Sequence, residues 1–468
     1  MDFTNIVFWL CLIPAMVCIF LTGRYILHHR TQAKQQFEKY ALLIISLAFL
    51  GMASMLTLGI FLLVAFLAYG GVKLALKGGR NMRKLALGIL IPLLLIPLLY
   101  YKYGYFIGTQ VFNQEWDTLR DLIIPIGISF YTFQKISFCI DTLSRQQPLP
   151  KFLDFMNFAS FFPQIVAGPI ERRDSLLPQM ENIRLTWKAA NIDIGLRYII
   201  LGLFFKMCMA DNLASAFFQH YDGGNVWVIW MNNIIFGLRI YFDFAGYGLI
   251  AYGLASGLGV QLTMNFLSPY SATNITAFWR RWHISLTGWF RDYIYFNIGG
   301  SRTKFWAFNI LLVFLISGLW HGASWNFVMW GGLSGIAMIL HRCYRNLGLR
   351  MWAPLSTLLT LITMFYIWMF FYETDNHQLW DNTCHLLTFS SYNTKSLMAV
   401  VGTFPVAILT FCFFALISIV LIVMEGLSGK KTGNPYQWLI SPYACGVWVI
   451  LTIVFNPGVK NSFIYFSF

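Results

Sequence analysis

The chain has 468 residues, of which 58% are hydrophobic and only 11% charged, and its formal net charge is +14. A mean hydropathy of +0.62 lies far outside the range of soluble domains, so the solvent for this fold is a lipid bilayer. The positive charge does not point to nucleic acid, because lysine and arginine fall mainly in short loops between apolar runs, where they retain loops on the cytoplasmic side.

Spanning the hydrocarbon core takes roughly 20 apolar residues, and long runs rather than alternating ones favour a helical bundle over a barrel. The first run, Asn5 to Leu27, follows Asp2 and has no small-residue cleavage site, so it reads as a retained helix. Arg24, Arg30, Lys34 and Lys39 come next, and Lys73, Lys77, Arg80, Arg83 and Lys84 follow the run from Tyr40 to Val72. With both basic loops on the cytoplasmic side, that run must cross twice, as a hairpin broken near Gly51 to Gly59, and the N-terminus lies outside. Leu85 to Leu99 crosses back, and a less hydrophobic region, Tyr100 to Arg120, follows.

The middle of the chain is different. "LIIPIGISFYTFQKISFCID" (Leu122 to Asp141) and "FASFFPQIVAGPIERR" (Phe158 to Arg173) mix proline, glycine and polar groups into apolar sequence. Interrupted backbone at membrane depth is tolerated only when buried in protein or lining a wet cavity, so broken or re-entrant helices around an interior chamber are expected here. Further runs are Ile192 to Ala210, Val226 to Leu249, Phe305 to Leu319, Phe327 to Leu340, Leu355 to Phe371, Val400 to Val423 and Ile440 to Val454, giving about eleven passes in all. Tyr372 to Lys395 is the most polar long loop, and no repeat or separate soluble block is visible. The expected architecture is all-α and polytopic, a single membrane domain over 1–468: peripheral helices in 1–100, a motif-rich core in 120–345 and C-terminal helices in 346–468. The eight cysteines (11, 18, 139, 208, 343, 384, 412 and 445) are scattered without a CxxC pair, so neither a disulfide framework nor a metal site is expected.

"FWRRWHISLTGWFRDYIYFNIGGSRTK", Phe278 to Lys304, is too charged to span. Its aromatics Trp279, Trp282, Trp289 and Tyr293 recur at helical spacing among Arg280, Arg281 and Arg291, which suits a surface-lying interfacial helix on the cytoplasmic face. Guanidinium groups there can also hold an anionic ligand bidentately. Beyond it, "SGLWHGASW" carries His321 between Trp320 and Gly322, seventeen residues past Lys304. A straight helix would carry that histidine about 25 Å, most of the way across the bilayer. An ionisable group inside a span is costly and marks a functional site by default, the alternative being a packing histidine bonded to a carbonyl. A buried neutral imidazole can accept a proton, which suits a general base.

At these residues the chain resembles the membrane-bound O-acyltransferases, and within them the bacterial branch typified by alginate O-acetyltransferase. The resemblance rests on "PIGISFYTFQ" from Pro125, "FFPQIVAGPIERR" from Phe161, "IYFDFAGYGLIAYGLASGLG" from Ile240, "FWRRWHISLTGWFRDYIYFNIGGSR" from Phe278, "GLWHGASWNFVMWGG" from Gly318 and the closing "FIYFSF". It implies a catalytic histidine at His321, a second family histidine at His283, and a central tunnel in which a cytosolic donor and an external acceptor approach the catalytic ring from opposite sides. The first hundred residues and "MFFYETD" (Met369 to Asp375) depart from that branch.

The implied chemistry is acyl transfer from a thioester, acetyl-CoA as a donor substrate rather than a bound cofactor, to an exported polysaccharide or to an extracytoplasmic transferase partner of the SGNH type. His321 takes the hydroxyl proton, a contribution of about 10²–10⁴-fold in rate. Arg280, Arg281 and Arg291 guide the donor's phosphates, with Trp282 and Trp320 as further donor-site candidates; His283 either orients the donor or is structural, and Asp243, Tyr247 and Gln164 are candidate chamber-lining groups whose stronger reading is structural bonding. The implied location is the bacterial inner membrane. No GxSxG elbow, HExxH, Cys/His cluster or GxxxxGK[ST] is present. The competing readings are D-alanyl transfer toward teichoic acids and, from another class, a transporter, for which inverted repeats would be expected.

Overall fold

The computed structural model describes residues 3–27, 29–114, 116–165, 168–185, 187–218, 224–458, 461, 463 and 464. Val166 and Ala167 of the "FFPQIVAGPIERR" motif, and the last four residues of the "FIYFSF" tail, lie outside them. Every regular element among the described residues is helical. The chain divides into two compact units, Met1–Ile199 with Leu249–Thr263, and Ile200–Gly248 with Met264–Phe468.

The first unit opens with α1 (Ile6–Leu21), α2 (Thr31–Ala53), α3 (Met55–Ala75) and α4 (Arg80–Leu98). The expected break in the Tyr40 to Val72 run falls at Ser54. Its backbone is extended (φ −172°, ψ 134°) and its Oγ accepts from the Thr57 amide at 3.4 Å, so one residue ends α2 and caps α3. On α3, Phe61, Val64, Ala65, Ala68 and Val72 recur at three- and four-residue spacing and form a buried stripe, while Leu63, Phe66 and Leu74 are exposed, as a lipid-facing side requires.

α5 (Ile128–Ser144) and α6 (Phe152–Ser160) follow, and almost all of α5 is buried. The irregular backbone expected in this region precedes α5, where Gly127 takes φ +74° and a Cβ would sit 2.7 Å from the Ile165 carbonyl oxygen. Once started, α5 is an unbroken helix that buries polar groups by pairing them. Gln134 Nε2 donates to the Phe158 carbonyl (3.1 Å) and to Gln164 Oε1 (3.2 Å). Lys135 Nζ donates to the Ala159 carbonyl (2.9 Å) and to Gln134 Oε1 (3.1 Å), and stands 4.4 Å from the Phe61 ring centroid.

Two longer helices come next, α7 (Ala189–Leu203), which continues through a π turn at Phe204–Ala210, and α8 (Val226–Gly257). In the first unit they touch through glycines: a methyl at Gly195 would lie 2.6 Å from the Gly253 carbonyl oxygen, and one at Gly253 would lie 2.5 Å from that of Gly195. The second unit adds α9 (Ile275–Trp279), α10 (Ile284–Phe290), α11 (Trp306–His321), α12 (Trp325–Asn346), α13 (Ala353–Tyr372), α14 (Pro405–Thr432) and α15 (Pro442–Val454).

Among the described residues seven helical stretches are long and apolar enough to cross a membrane, and α11 and α15 are shorter apolar helices. That is fewer than the eleven passes counted from apolar runs. The difference has local causes: α5 carries Gln134, Lys135 and Asp141, the Ile192 to Ala210 run changes from α to π geometry at Phe204, and α11 stops at His321 after 16 residues. α8 is the enclosed helix of the set, with 83% of its apolar window buried against 17% for α14.

The glycine contact gives a stability test. Gly253→Ala should lower the melting temperature of the purified chain in detergent, with overpacking costing about 1–3 kcal/mol. Gly59→Ala, at an open helical position on α3, should leave it unchanged or raise it.

The paired histidines of the second unit, a candidate active site

His321 is the last residue of α11, and the chain turns there because Gly322 adopts an extended backbone (φ −160°, ψ 151°). Glycine is required on sterics: a Cβ at Gly322 would enter the Phe327 ring, one at Gly318 would meet the Phe327 carbonyl oxygen, and one at Gly331 would meet that of Phe314. α11 and α12 therefore pack backbone against backbone, and the turn between them delivers the imidazole. The ring is 4% exposed and walled by Trp320 (centroids 5.0 Å apart), Trp330 (5.0 Å) and Phe371 (5.2 Å), all at steep interplanar angles. Trp279 and Trp368 extend the wall behind Trp330 at 5.7 and 6.0 Å.

His283 shares one of these indoles. Its ring centroid is 6.0 Å from Trp320 and 4.6 Å from Phe244. His283 caps α10 in the left-handed region (φ 43°, ψ 55°), a strained position for a residue with a side chain, and such strain gathers at functional sites. Asn265 holds it: its carbonyl accepts from the Ile284 amide (3.0 Å) and its Oδ1 from the Ser285 amide (3.2 Å). Burial pushes the His283 imidazole down to about 3. Both histidines that the sequence motifs single out thus contact the Trp320 ring.

The other candidates occupy varied positions. Trp282 is buried in a ring cluster, 4.8 Å from Trp368 and 5.4 Å from Phe278. Arg280 is exposed. Arg281 Nη1 donates to Ser271 Oγ (2.9 Å), and Arg291 pairs bidentately with its neighbour Asp292 (Nε to Oδ1 2.7 Å, Nη2 to Oδ2 3.2 Å). Asp243 and Tyr247 on α8 are engaged by the chain's own tail. Asp243 Oδ2 accepts from the Ile464 amide at 2.8 Å, and Tyr247 packs on Phe463 at 4.2 Å. Asp243 also pairs with Lys206 (2.8 Å), which pairs with Asp211 (2.8 Å) and donates to the Asn461 carbonyl (3.0 Å). Gln164 belongs to the first unit, on the Gln134 amide. No group of three or more metal-binding side chains occurs among the described residues.

Sequence reasoning missed two things here. One is the charge cluster of Lys206, Asp211 and Asp243, whose signal was three ionisable groups in apolar sequence. The other is a polar face on α12. Asn326, Trp330 and Ser334, four residues apart, are each at most 1% exposed, and Asn326 Oδ1, Trp330 Nε1 and Ser334 Oγ have no hydrogen-bond partner among the described residues. Of the three, Trp330 touches His321 (ring centroids 5.0 Å apart), and the Asn326 amide nitrogen donates to the Phe370 carbonyl at 3.2 Å. At a rise of about 1.5 Å per residue the row is about 12 Å long. Its sequence signal was a four-residue period of hydrogen-bonding side chains in an apolar helix.

Residues 6–374 match the sequence model of the membrane-bound O-acyltransferase family. The chain belongs to that family. It is an O-acyltransferase and a multi-pass membrane protein. It is 33% identical over 423 residues to a peptidoglycan O-acetyltransferase of Helicobacter pylori, covering 79% of this chain and 80% of the relative. Against the "Probable alginate O-acetylase AlgI" of Pseudomonas aeruginosa it is 31% identical over 371 residues, 74% of this chain and 70% of the relative. A teichoic acid D-alanyltransferase of Bacillus subtilis is 27% identical over 268 residues, 52% of this chain and 66% of the relative.

Two outcomes test this description. Removing one partner of a buried ion pair is costly, about 3–5 kcal/mol, so Asp243→Ala should destabilise the chain sharply and raise protease cleavage of the tail at residues 461–464. For His283 the sign follows from its lowered value. Below about 6.5 the unfolded chain binds a proton that the folded ring refuses, so stability is present above that pH and is lost as pH falls toward 3. His283→Gln should flatten the acid limb of a melting-temperature profile measured from pH 7 to 4.

Proposed function

We propose that this O-acyltransferase moves an acetyl group from a cytosolic thioester, acetyl-CoA, to a hydroxyl on an exported polysaccharide or on an extracytoplasmic SGNH-type partner that completes the transfer. The reading places the chain in the bacterial inner membrane with its N-terminus outside, following the basic loops after α1 and α3. The relatives named for O-acetylation of peptidoglycan and alginate, at 31–33% identity, support acetyl as the group and a glycan as the acceptor.

The observation that carries the chemistry is the buried His321 ring beside the unpaired polar face of α12. In the proposed step an acceptor hydroxyl gives its proton to His321 as its oxygen attacks the thioester carbonyl. The carbonyl oxygen becomes an oxyanion, the carbon–sulfur bond breaks, and the departing thiolate takes the proton from His321. The ester is the product and the histidine returns neutral, so no acyl-enzyme is needed. His321 lies at the C-terminal end of α11, where the helix dipole favours the transient imidazolium by about 0.3–1 kcal/mol. The aromatic wall excludes water, which would otherwise hydrolyse the thioester. The Trp330 indole N–H is a donor without an acceptor among the described residues, suited to the developing oxyanion. Asn326 and Ser334 suit the donor's amides and hydroxyls. His283 is a positioning residue acting through Trp320, and the exposed Arg280 suits the donor's phosphates better than Arg291, which Asp292 already occupies.

The test uses the purified chain in lipid with acetyl-CoA and glycan oligomers, following CoA release and ester formation. His321→Ala at normal membrane abundance should lose at least about 10²-fold in rate, and unchanged turnover would refute the base assignment. Trp330→Phe keeps the ring and removes the donor, so kcat should fall about 10²–10³-fold with little change in KM. A D-alanyl thioester of a carrier protein as the better donor, or solute flux without turnover, would replace the acetyl reading.

A further inference from the structure

The first unit contains two adjoining cavities far apart in character. One, of about 320 Å³, lies where α1 ends and α2 begins. Arg24, Lys34 and Arg184 bring three cations to its wall against the single carboxylate of Glu38. That carboxylate is committed, accepting from the Leu185 amide at 3.2 Å with Lys34 Nζ 4.0 Å away. The cavity therefore keeps a surplus of positive charge. Trp187 and Phe20 close one side, with ring centroids 5.0 Å apart. The second cavity, of about 130 Å³, shares Leu185 and Trp187 with the first and is lined by apolar side chains and glycines, among them Leu12 and Met16 of α1 and Ile192 and Leu196 of α7. Gly195 and Gly253 form part of its wall, so the glycine contact that joins α7 to α8 also shapes the groove.

We infer that these cavities form one binding site for an anionic glycerophospholipid, with its phosphate headgroup in the cationic cradle and an acyl chain along the apolar groove. Cationic charge alone would suit any phosphate ester. The continuation of the cradle, past Leu185 and Trp187, into a groove without hydrogen-bonding side chains selects a ligand with a charged end joined to a hydrocarbon one. Arginine provides the bidentate donors that phosphate geometry requires, and basic pockets at helix ends are where anionic headgroups bind in membranes. The indole of Trp187 belongs to both cavities, as suits a ring placed at the polar–apolar boundary. The site is independent of the acyl-transfer reading, and the lipid would act as a structural ligand pinning α1 to the loop before α7.

The test measures melting temperature of the full-length chain in detergent during titration with 1-palmitoyl-2-oleoyl-phosphatidylglycerol, the phosphatidylcholine of the same chains, glycerol 1-phosphate or inorganic phosphate. A ligand that binds only the folded state raises the midpoint with concentration. Phosphatidylglycerol should stabilise at concentrations where the other three do not. Arg24→Gln combined with Arg184→Gln should weaken that response at least about tenfold, the scale of a lost charge-assisted hydrogen bond. Met16→Trp, which fills the groove, should weaken it while leaving the cradle charges intact. Equal responses to phosphatidylglycerol and phosphatidylcholine would overturn the headgroup assignment. Glycerol 1-phosphate as potent as the lipid, with Met16→Trp silent, would make this a soluble phosphate site and overturn the lipid. Should either variant fail to fold, the four-ligand comparison on the native chain still decides.

Discussion

Contact between the α11 and α12 backbones is the constraint on which the candidate active site depends. Lipid gives helices no hydrophobic reason to associate, so close packing must supply the attraction, and it does so where side chains are absent. Gly318, Gly322 and Gly331 remove the three that would hold these helices apart. The consequence is positional: α11 must stop at His321 and turn sharply, and α12 must present Trp330 to the ring. The candidate imidazole is here a product of helix-packing geometry, and its surroundings are aromatic because large rings fill the space around such a turn.

The charged groups follow a second discipline. Each deeply buried cation with a described partner has been given either carboxylates or carbonyls and rings. Lys206 has two aspartates, Lys39 has Asp154, and Lys135 has two oxygens and the Phe61 face. An unpaired charge at these depths would cost several kcal/mol, so pairing is a condition for folding rather than a bonus. Unpaired polar atoms are consequently informative when they do occur. The row on α12 is one of several such places, since Tyr131, Thr132 and Trp279 also bury a polar atom without a hydrogen-bond partner among the described residues.

Much of this was legible in the sequence. The all-helical membrane class followed from composition, and a break near Gly51 to Gly59, found at Ser54, followed from counting basic loops. The histidines of "RWH" and "LWHGASW" carried the candidate site. Their relation through Trp320 was not legible, because it depends on the left-handed turn at His283 and on Asn265 reaching across from another segment, neither of which has a period or a spacing. Structural bonding was the stronger sequence reading for Asp243 and Tyr247, but only three dimensions reveal that a distant tail supplies the partners. Fewer helices are long and apolar enough to cross than there are apolar runs, because hydropathy registers apolar length and is blind to π turns, to buried lysines and to helices that end early.

The docking of Asn461 on Lys206, and of Phe463 and Ile464 on α8, carries a consequence for biogenesis. Lys206 and Asp243 lie in the middle of the chain, yet both complete their coordination with backbone groups that leave the ribosome after every helix of the second unit. Until that moment a buried lysine and aspartate lack their final partners. Membrane insertion can therefore run ahead of tertiary closure, which at these two charges waits for the arrival of Asn461 and Ile464.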